Sequence, residues 1–339
     1  MSHPITRMRR PVAALALTVA AVALSGCGGS SSPATGAAPN ADRAAAAKGI
    51  SSDVNLGECG KQTREVKHDL GTTTITGNPQ KVVALEYSFV DALAAVGMGA
   101  IGVADDDHPE RIIEPIRAKT GKYTSVGLRA TPNIQVITSL KPDLIIADSG
   151  RHKAIYAQLA KIAPTIAYPS LNGNYQQVLD SEMSAAIGLN KCDEMKARLA
   201  EHDKVLTELK AKVPAGEQRK ALFVRASEKG FTGFPPKAYT PGVLAAVGIG
   251  TALPDENGDA SVSLTLETLT TTNPEVMFIA PNTGPTLTDQ WEKSPLWKQL
   301  DAVKENRTYT VNPDTWSRSR GLISAEVVAK EAVELLYGK

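Results

Sequence analysis

Residues 93–99 read L-A-A-V-G-M-G and residues 244–250 read L-A-A-V-G-I-G. A second matched phrase follows each copy: L-K-P-D-L-I-I at 140–146 and N-P-E-V-M-F-I at 273–279. In both phrases a helical pattern stops at a proline, which has no N–H to donate, and a short apolar run follows that reads as a buried strand. One α/β module written twice predicts two similar lobes with a cleft between them, a favoured place for a small ligand. The repeat therefore points first to a binding protein.

Outward from the first copy, 82–85 reads as a strand, 89–96 as a helix and 100–104 as a second strand. Helical patterns over 111–119, 134–140 and 154–162 alternate with strands at 144–147 and 165–168, which predicts a parallel sheet with helices on its faces. The folded body starts near Arg64. Between the copies the pattern changes: Met195, Leu199, His202, Leu206, Leu209 and Val213 recur at three- and four-residue steps, one face of a long helix. At 191–214 this helix is long enough to run between lobes, about 30 Å. The expected division is an N-terminal lobe at 64–190, the interdomain helix at 191–214 and a C-terminal lobe at 215–339, whose α/β series begins at 221–224.

At the start of the chain, Arg7, Arg9 and Arg10 precede an apolar run over 12–24, the pattern of an export signal. The run ends in Leu24-Ser25-Gly26-Cys27, which looks like the bacterial lipobox: 1–26 would be cleaved and Cys27 would carry the lipid. Residues 27–63 then read as a tether and N-terminal extension, rich in Gly, Ser, Ala and Pro up to about Gly57. The formal charge of the whole chain is +1, and loss of three arginines with the signal leaves −2. No basic footprint for nucleic acid is present. Outside the cell, Cys59 and Cys192 either pair or stay as two buried thiols, and their spacing alone leaves both open.

The glycines of 97–102 match G-x-G-x-x-G, but they follow a helix and precede a strand, the reverse of a dinucleotide site. They read as helix C-caps. The histidines show no paired metal-ligand spacing, and Asp105-Asp106-Asp107-His108 reads as an acidic loop rather than a cation site. No nucleophile or acid–base pair stands out, so neither catalysis nor a resident cofactor is expected.

In open α/β sheets ligands bind beyond the carboxyl ends of the strands. Glu86, Tyr87, Ser88, Asp105, Ser149, Arg151, His152, Arg225 and Asn282 stand there; Arg129 lies in the loop after Val126, and Trp316, Arg318 and Arg320 follow a strand at 308–311. Arginines converging on one cleft suit an anionic, carboxylate-rich ligand, because guanidinium forks match carboxylates with paired hydrogen bonds. Tyr87 and Trp316 are expected as flat walls, Ser88 as a polar contact.

These residues resemble the iron–siderophore substrate-binding proteins of ABC importers, the class whose two Rossmann-like lobes are joined by one long helix (class III), and especially its ferric citrate type. The likeness is carried by V-V-A-L-E-Y-S-F-V-D-A-L at 82–93, I-G-V-A-D-D at 101–106, Val126-Gly127 with Arg129, L-K-P-D-L-I-I-A-D-S at 140–149 with Arg151-His152, and Thr315-Trp316 with Arg318 and Arg320-Gly321. It spans nearly everything from Pro79 to Leu336. The resemblance implies a monomeric, lipid-anchored receptor that captures an Fe(III)–siderophore and delivers it to a permease with its ATPase subunits. It also implies an exposed Glu on each lobe for docking: Glu267 keeps the C-terminal one, whereas Gln135 replaces the N-terminal one. A hydroxamate siderophore, haem or a corrinoid would ask for fewer arginines and more aromatic surface than the 5% present. Gln135 keeps open an envelope sensor or interaction protein that has given up transport.

Overall fold

The computed structural model describes residues 49–255, 260–282 and 286–338. The signal segment and Cys27 lie outside them. Among the described residues no helix is long and apolar enough to cross a membrane.

The first sheet is five-stranded and parallel, in the order Thr124–Ser125, Gly102–Val103, Val82–Ala84, Leu144–Asp148, Thr165–Tyr168. The second runs Val262–Leu264, Gly230–Gly233, Lys220–Ser227, Val276–Pro281, Thr308–Thr310, with Gly250–Thr251 paired in parallel to Lys220–Ser227. Its Gly230–Gly233 strand turns back antiparallel on Lys220–Ser227 and pairs antiparallel with Val262–Leu264, so this sheet is parallel only from Lys220–Ser227 to Thr308–Thr310.

Alternation along the strands sorts the core into layers. Val82 and Ala84 face a central cluster that runs without a break through Leu93, Met183, Met195, Tyr239 and Val328 to Phe223 and Phe278 of the second sheet. Val83, Leu85 and Ile145 face the outer side of the first sheet; Leu222, Val224 and Met277 face the outer side of the second. The two sheets thus share one helical layer. The long helix, Cys192–Lys210, belongs to it, packed against Tyr175–Leu189 and against Leu322–Tyr337 rather than standing alone.

The repeat folds as a repeat. After the helix Tyr87–Ala95, Met98 N–H bonds Leu93 O at 2.8 Å and Gly97 N–H bonds Ala94 O at 3.2 Å. After Tyr239–Ala246, Ile249 N–H bonds Leu244 O and Gly248 N–H bonds Ala245 O, both at 3.0 Å. Both are the Schellman C-cap, which needs a left-handed residue; Gly97 and Gly248 supply it at φ 72° and 90°. The second phrase repeats too. The helices Ile134–Leu140 and Leu266–Thr272 end in left-handed Lys141 and Asn273 before Pro142 and Pro274. The next carboxylate then hooks the neighbouring strand: Asp143 accepts from Gln80 and Lys81 N–H, and Glu275 from Lys220 N–H.

Two features depart from expectation. Ordered structure begins before Arg64: Val54 is buried, and Thr63–His68 pairs with Gly71–Thr76 in an antiparallel hairpin. The helical pattern over 154–162 shrinks to a 3₁₀ turn and Tyr156–Leu159. Cys59 and Cys192 form a disulfide across 133 residues of sequence, pinning the N-terminal extension to the start of the long helix.

Candidate functional site

The first sheet sends two acidic residues to the carboxyl ends of adjacent strands, Glu86 and Asp148. Asp148 organises the loops. Its Oδ1 accepts from the N–H groups of Gly150 (2.9 Å) and Arg151 (2.5 Å), and its Oδ2 from those of Ser170 (2.7 Å) and Leu171 (2.8 Å). One carboxylate therefore binds the loop that carries Arg151 to the segment that follows the next strand. His152, fully buried, accepts at Nδ1 from Asp148 N–H (2.8 Å) and donates from Nε2 to the carbonyl of Arg129 (2.7 Å). A carbonyl only accepts and an N–H only donates, so these partners fix the neutral Nε2–H tautomer. Burial holds its pKa below the usual histidine value.

Arg129 is clamped on several sides. Asp106 sits in left-handed backbone at φ 60°, which turns its carboxylate toward Arg129: Oδ1 accepts from the backbone N–H, and Oδ2 from Nε (2.9 Å) and Nη2 (2.7 Å). Nη1 reaches Glu86 Oε2 at 3.2 Å, and the guanidinium lies 4.3 Å over the ring of Tyr87. Burial pushes the Asp106 carboxyl up, but Arg129's hydrogen bonds more than offset this and hold it below its usual range. On the other side of Glu86, Oε1 lies 2.6 Å from Arg151 Nε. Burial raises the Glu86 pKa, against the pull of Arg129 and Arg151.

The second sheet contributes Arg225, near the end of Lys220–Ser227, with its guanidinium 6.0 Å from the Phe234 ring. Phe234 stacks on Phe223 at 5.1 Å. Burial lowers the Arg225 pKa, and Arg318 nearby adds to this. Burial also pushes the Arg320 guanidinium down to about 10, against the attraction of Glu86. Arg318 pairs with Asp314 at 2.7 Å. Neither Arg225 nor Arg320 forms an ion pair among the described residues. A cavity of about 250 Å³ opens between the two halves, lined by Leu171, Asn172, Arg225, Phe234, Lys237 and Arg320. A larger groove of about 850 Å³ lies elsewhere, among Ala94, Lys119, Val205 and Val327. Its cations Lys119, Arg198 and Lys330 are interleaved with Glu201 and Glu326, whereas Arg225, Lys237 and Arg320 line the smaller cavity with no acid among them, so the smaller cavity is the better candidate.

Of the residues expected at the cleft, Arg225 and Arg320 line it. Arg129 and Arg151 stand behind, within electrostatic reach of Arg320. Arg318 adjoins Arg225 but is held by Asp314. Three residues sit deeper than expected. Trp316 is 0% exposed, packed on Phe278 (4.7 Å) and Phe223 (5.7 Å), with its indole N–H donated to Glu331 (2.7 Å). It is a core side chain, because its turn folds the ring back onto the sheet. Tyr87, 1% exposed, donates its hydroxyl to the Asp105 carbonyl and serves as a floor under Arg129. Ser88 is buried against Ser170. None of the three walls the cavity. Gln135 and Glu267 are both exposed, each the second residue of its matched helix.

Sequence reasoning missed Asp106 and Asp148 as positioning groups, and Leu171, Phe234 and Lys237 as lining. An aspartate as the last residue of a parallel strand was the available signal for Asp148. Among the described residues no cluster of His, Cys, Asp or Glu could hold a metal ion.

A family model described as periplasmic binding protein matches residues 82–315. The Fe(3+)-citrate-binding protein YfmC of Bacillus subtilis is 42% identical over 279 residues, 82% of this chain and 88% of that one. The Fe(3+) dicitrate-binding periplasmic protein FecB of Escherichia coli is 36% identical over 273 residues, 80% and 90% of the two chains. Among solved structures, Staphylococcus aureus SirA complexed with staphyloferrin B superposes with a TM-score of 0.72 at 25% identity, covering 81% of this chain and 98% of that one.

Proposed function

We propose, for a chain that belongs to the periplasmic binding protein family, the role of substrate-binding component of an iron(III)–siderophore ABC importer. The ligand is ferric citrate or a similar carboxylate chelate, carried as cargo. The observation that carries this reading is the pair Arg225 and Arg320. Both line the inter-half cavity without an ion-pair partner among the described residues, and a buried guanidinium favours a bidentate carboxylate. Arg129 and Arg151 supply further positive charge behind them. The names of YfmC and FecB support the same ligand class.

The rest of the role follows from sequence and placement. Cys27 carries the lipid, 27–63 serves as tether and N-terminal extension, and the receptor works as a monomer without catalysis. The lobes are 64–190 and 215–339, with the helix of 191–214 between them. Glu267 and Gln135, at matching positions on exposed helix starts, face the permease, whose ATPase subunits complete the importer.

Equilibrium dialysis of residues 28–339 against radiolabelled ferric citrate tests this, with iron-free citrate and a ferric hydroxamate as competitors. Saturable retention of iron that the hydroxamate does not displace is expected. Retention of a hydroxamate, haem or corrinoid complex with none of ferric citrate would keep the fold and overturn the ligand. No retention of any chelate would favour an envelope sensor.

A further inference from the structure

The helix Tyr239–Ala246 begins at the cavity between the halves, where its cap Ala238 and first residues Tyr239 and Thr240 form part of the wall. A helix start leaves its first N–H groups without partners inside the helix. Ala238 N–H bonds Pro235 O at 2.9 Å, Pro241 has no N–H, and Gly242 N–H opens the ladder on Ala238 O at 3.0 Å. The N–H groups of Tyr239 and Thr240 are left over, and neither has a partner among the described residues. Ala238 has the extended backbone of a capping residue (φ −70°, ψ 160°) but no side-chain oxygen to accept from them.

A second feature of the same wall points to a ligand. Ser317 lines the cavity and is 6% exposed, and its hydroxyl makes no hydrogen bond among the described residues. Its segment is fastened to the helix start at both ends: Thr240 Oγ1 donates to Trp316 O at 2.7 Å, and Tyr239 Oη bonds both the carbonyl and the N–H of Gly321. Arg320 lies between the same two fastenings. Lys237 precedes the cap but is already paired with Asp255 at 2.7 Å. Two adjacent N–H groups and a hydroxyl, all uncharged, therefore share the cavity with Arg225 and Arg320. Together they offer three donors to the two oxygens of one carboxylate, and the helix dipole favours its negative charge.

We propose that the first turn of Tyr239–Ala246 is a further binding subsite of the cleft. It takes one ligand carboxylate on the Tyr239 and Thr240 N–H groups and the Ser317 hydroxyl, beside Arg225 and Arg320. This rests on the carboxylate-chelate reading above. The test fills the subsite from within. Ala238→Thr places a capping oxygen on the Thr240 N–H, whereas Ala238→Val has the same shape and no oxygen. In calorimetric titration with ferric citrate, A238T should bind about tenfold more weakly than A238V, the scale of one hydrogen bond to a charged group. Denaturant midpoints should move the other way, with A238T the more stable of the two. Equal affinities, or a weaker A238T that is also the less stable, overturn the proposal.

Ser317→Ala should weaken ferric citrate about fivefold without lowering the midpoint, since the lost hydroxyl has no partner in the protein; unchanged affinity overturns the subsite as stated. If the 238 variants do not fold, the wild type answers by NMR. The amide resonances of Tyr239 and Thr240 should shift on saturation with diamagnetic gallium(III) citrate, and two unmoved amides overturn the proposal. The two readings fail separately. A wild type indifferent to ferric citrate overturns the ligand reading and the subsite with it. A wild type that binds, with A238T and A238V alike, overturns the subsite alone.

Discussion

Asp91, in the first helix of the N-terminal half, caps the C-terminal helix at Ser324. Its Oδ2 accepts from Ser324 N–H at 2.9 Å and from Ser324 Oγ at 2.7 Å, and its Oδ1 from Ile323 N–H at 3.0 Å. The start of a helix leaves its first N–H groups without partners, and a carboxylate from another element satisfies them with charge of the favourable sign. Gly321 permits this approach, since a Cβ there would lie 2.3 Å from Asp91 Cγ. Tyr239 Oη brackets the same residue, donating to Gly321 O and accepting from Gly321 N–H. The join between the halves behind the cleft is therefore built of buried, directional bonds.

Asp91→Ala leaves two buried backbone N–H groups unsatisfied, and each such group costs about 1–3 kcal/mol. Denaturant unfolding should report a loss in that range or above. Glu182 meets the same helix start, accepting from Leu322 N–H at 2.9 Å, and burial with Asp91 nearby holds its pKa well above the usual carboxylate value. The unfolded chain therefore releases this proton first as pH rises, and stability falls from the ordinary carboxylate range upward until the folded pKa is passed. Glu182→Gln should remove that slope: its stability relative to wild type should rise between pH 4.5 and pH 8, measured by urea midpoints.

His152 has the opposite sign. Its folded pKa lies below the histidine value of 6.5, so the unfolded chain takes up the proton first as pH falls. Its contribution is fully present above pH 6.5 and is lost progressively below it, down to the folded pKa. Its ring also holds the Arg129 carbonyl, so His152→Ala should weaken ligand binding as well as removing this limb of the pH–stability curve. An unchanged acid limb would show that His152 is not the group responsible.

Trp316 and Arg320 separate stability from binding. Trp316→Ala should cost about 3–5 kcal/mol, as removal of a fully buried large aromatic does, while the fraction that stays folded keeps its ligand affinity. Arg225→Ala with Arg320→Ala should do the reverse, weakening ferric citrate at least a hundredfold with little change in unfolding midpoint. Comparable affinity losses in both variants would mean that the indole contacts the ligand after all.

Glu267 and Gln135 occupy equivalent places on the two matched helices, one charged and one neutral. With a cognate permease in vesicles, Glu267→Ala should reduce ligand-stimulated ATPase activity severalfold and leave ligand affinity alone. Gln135→Glu should raise the stimulation; no change in either variant would remove these helices from the docking surface.

Much of the architecture was legible because its signals are local. Gly97 and Gly248 end helices by their own φ, and Pro142 and Pro274 stop helices by lacking an N–H, so the repeat could be read without tertiary contacts. The helix Ile134–Leu140 and the strand Thr165–Tyr168 have the bounds expected for them. The hairpin from Thr63 was less visible, because Thr63–His68 alternates mostly charged and polar letters and its burial is supplied by the body beneath. Arginine as the residue type of the site was legible; its pairing was not. Which guanidinium meets Glu86 or Asp106, and which is left for a ligand, depends on loops brought together by Asp148 and His152 across 20 or more residues. Trp316 shows the same limit: a position after a strand end says nothing of the side to which the ring folds.

The most direct measurement is the anomalous scattering of iron in crystals of residues 28–339 grown with ferric citrate. Iron is expected in the cavity between the halves, with citrate carboxylates on Arg225 and Arg320. Iron in the groove beside Ala94 and Val205, or a cavity that stays empty at saturating ferric citrate, would contradict it.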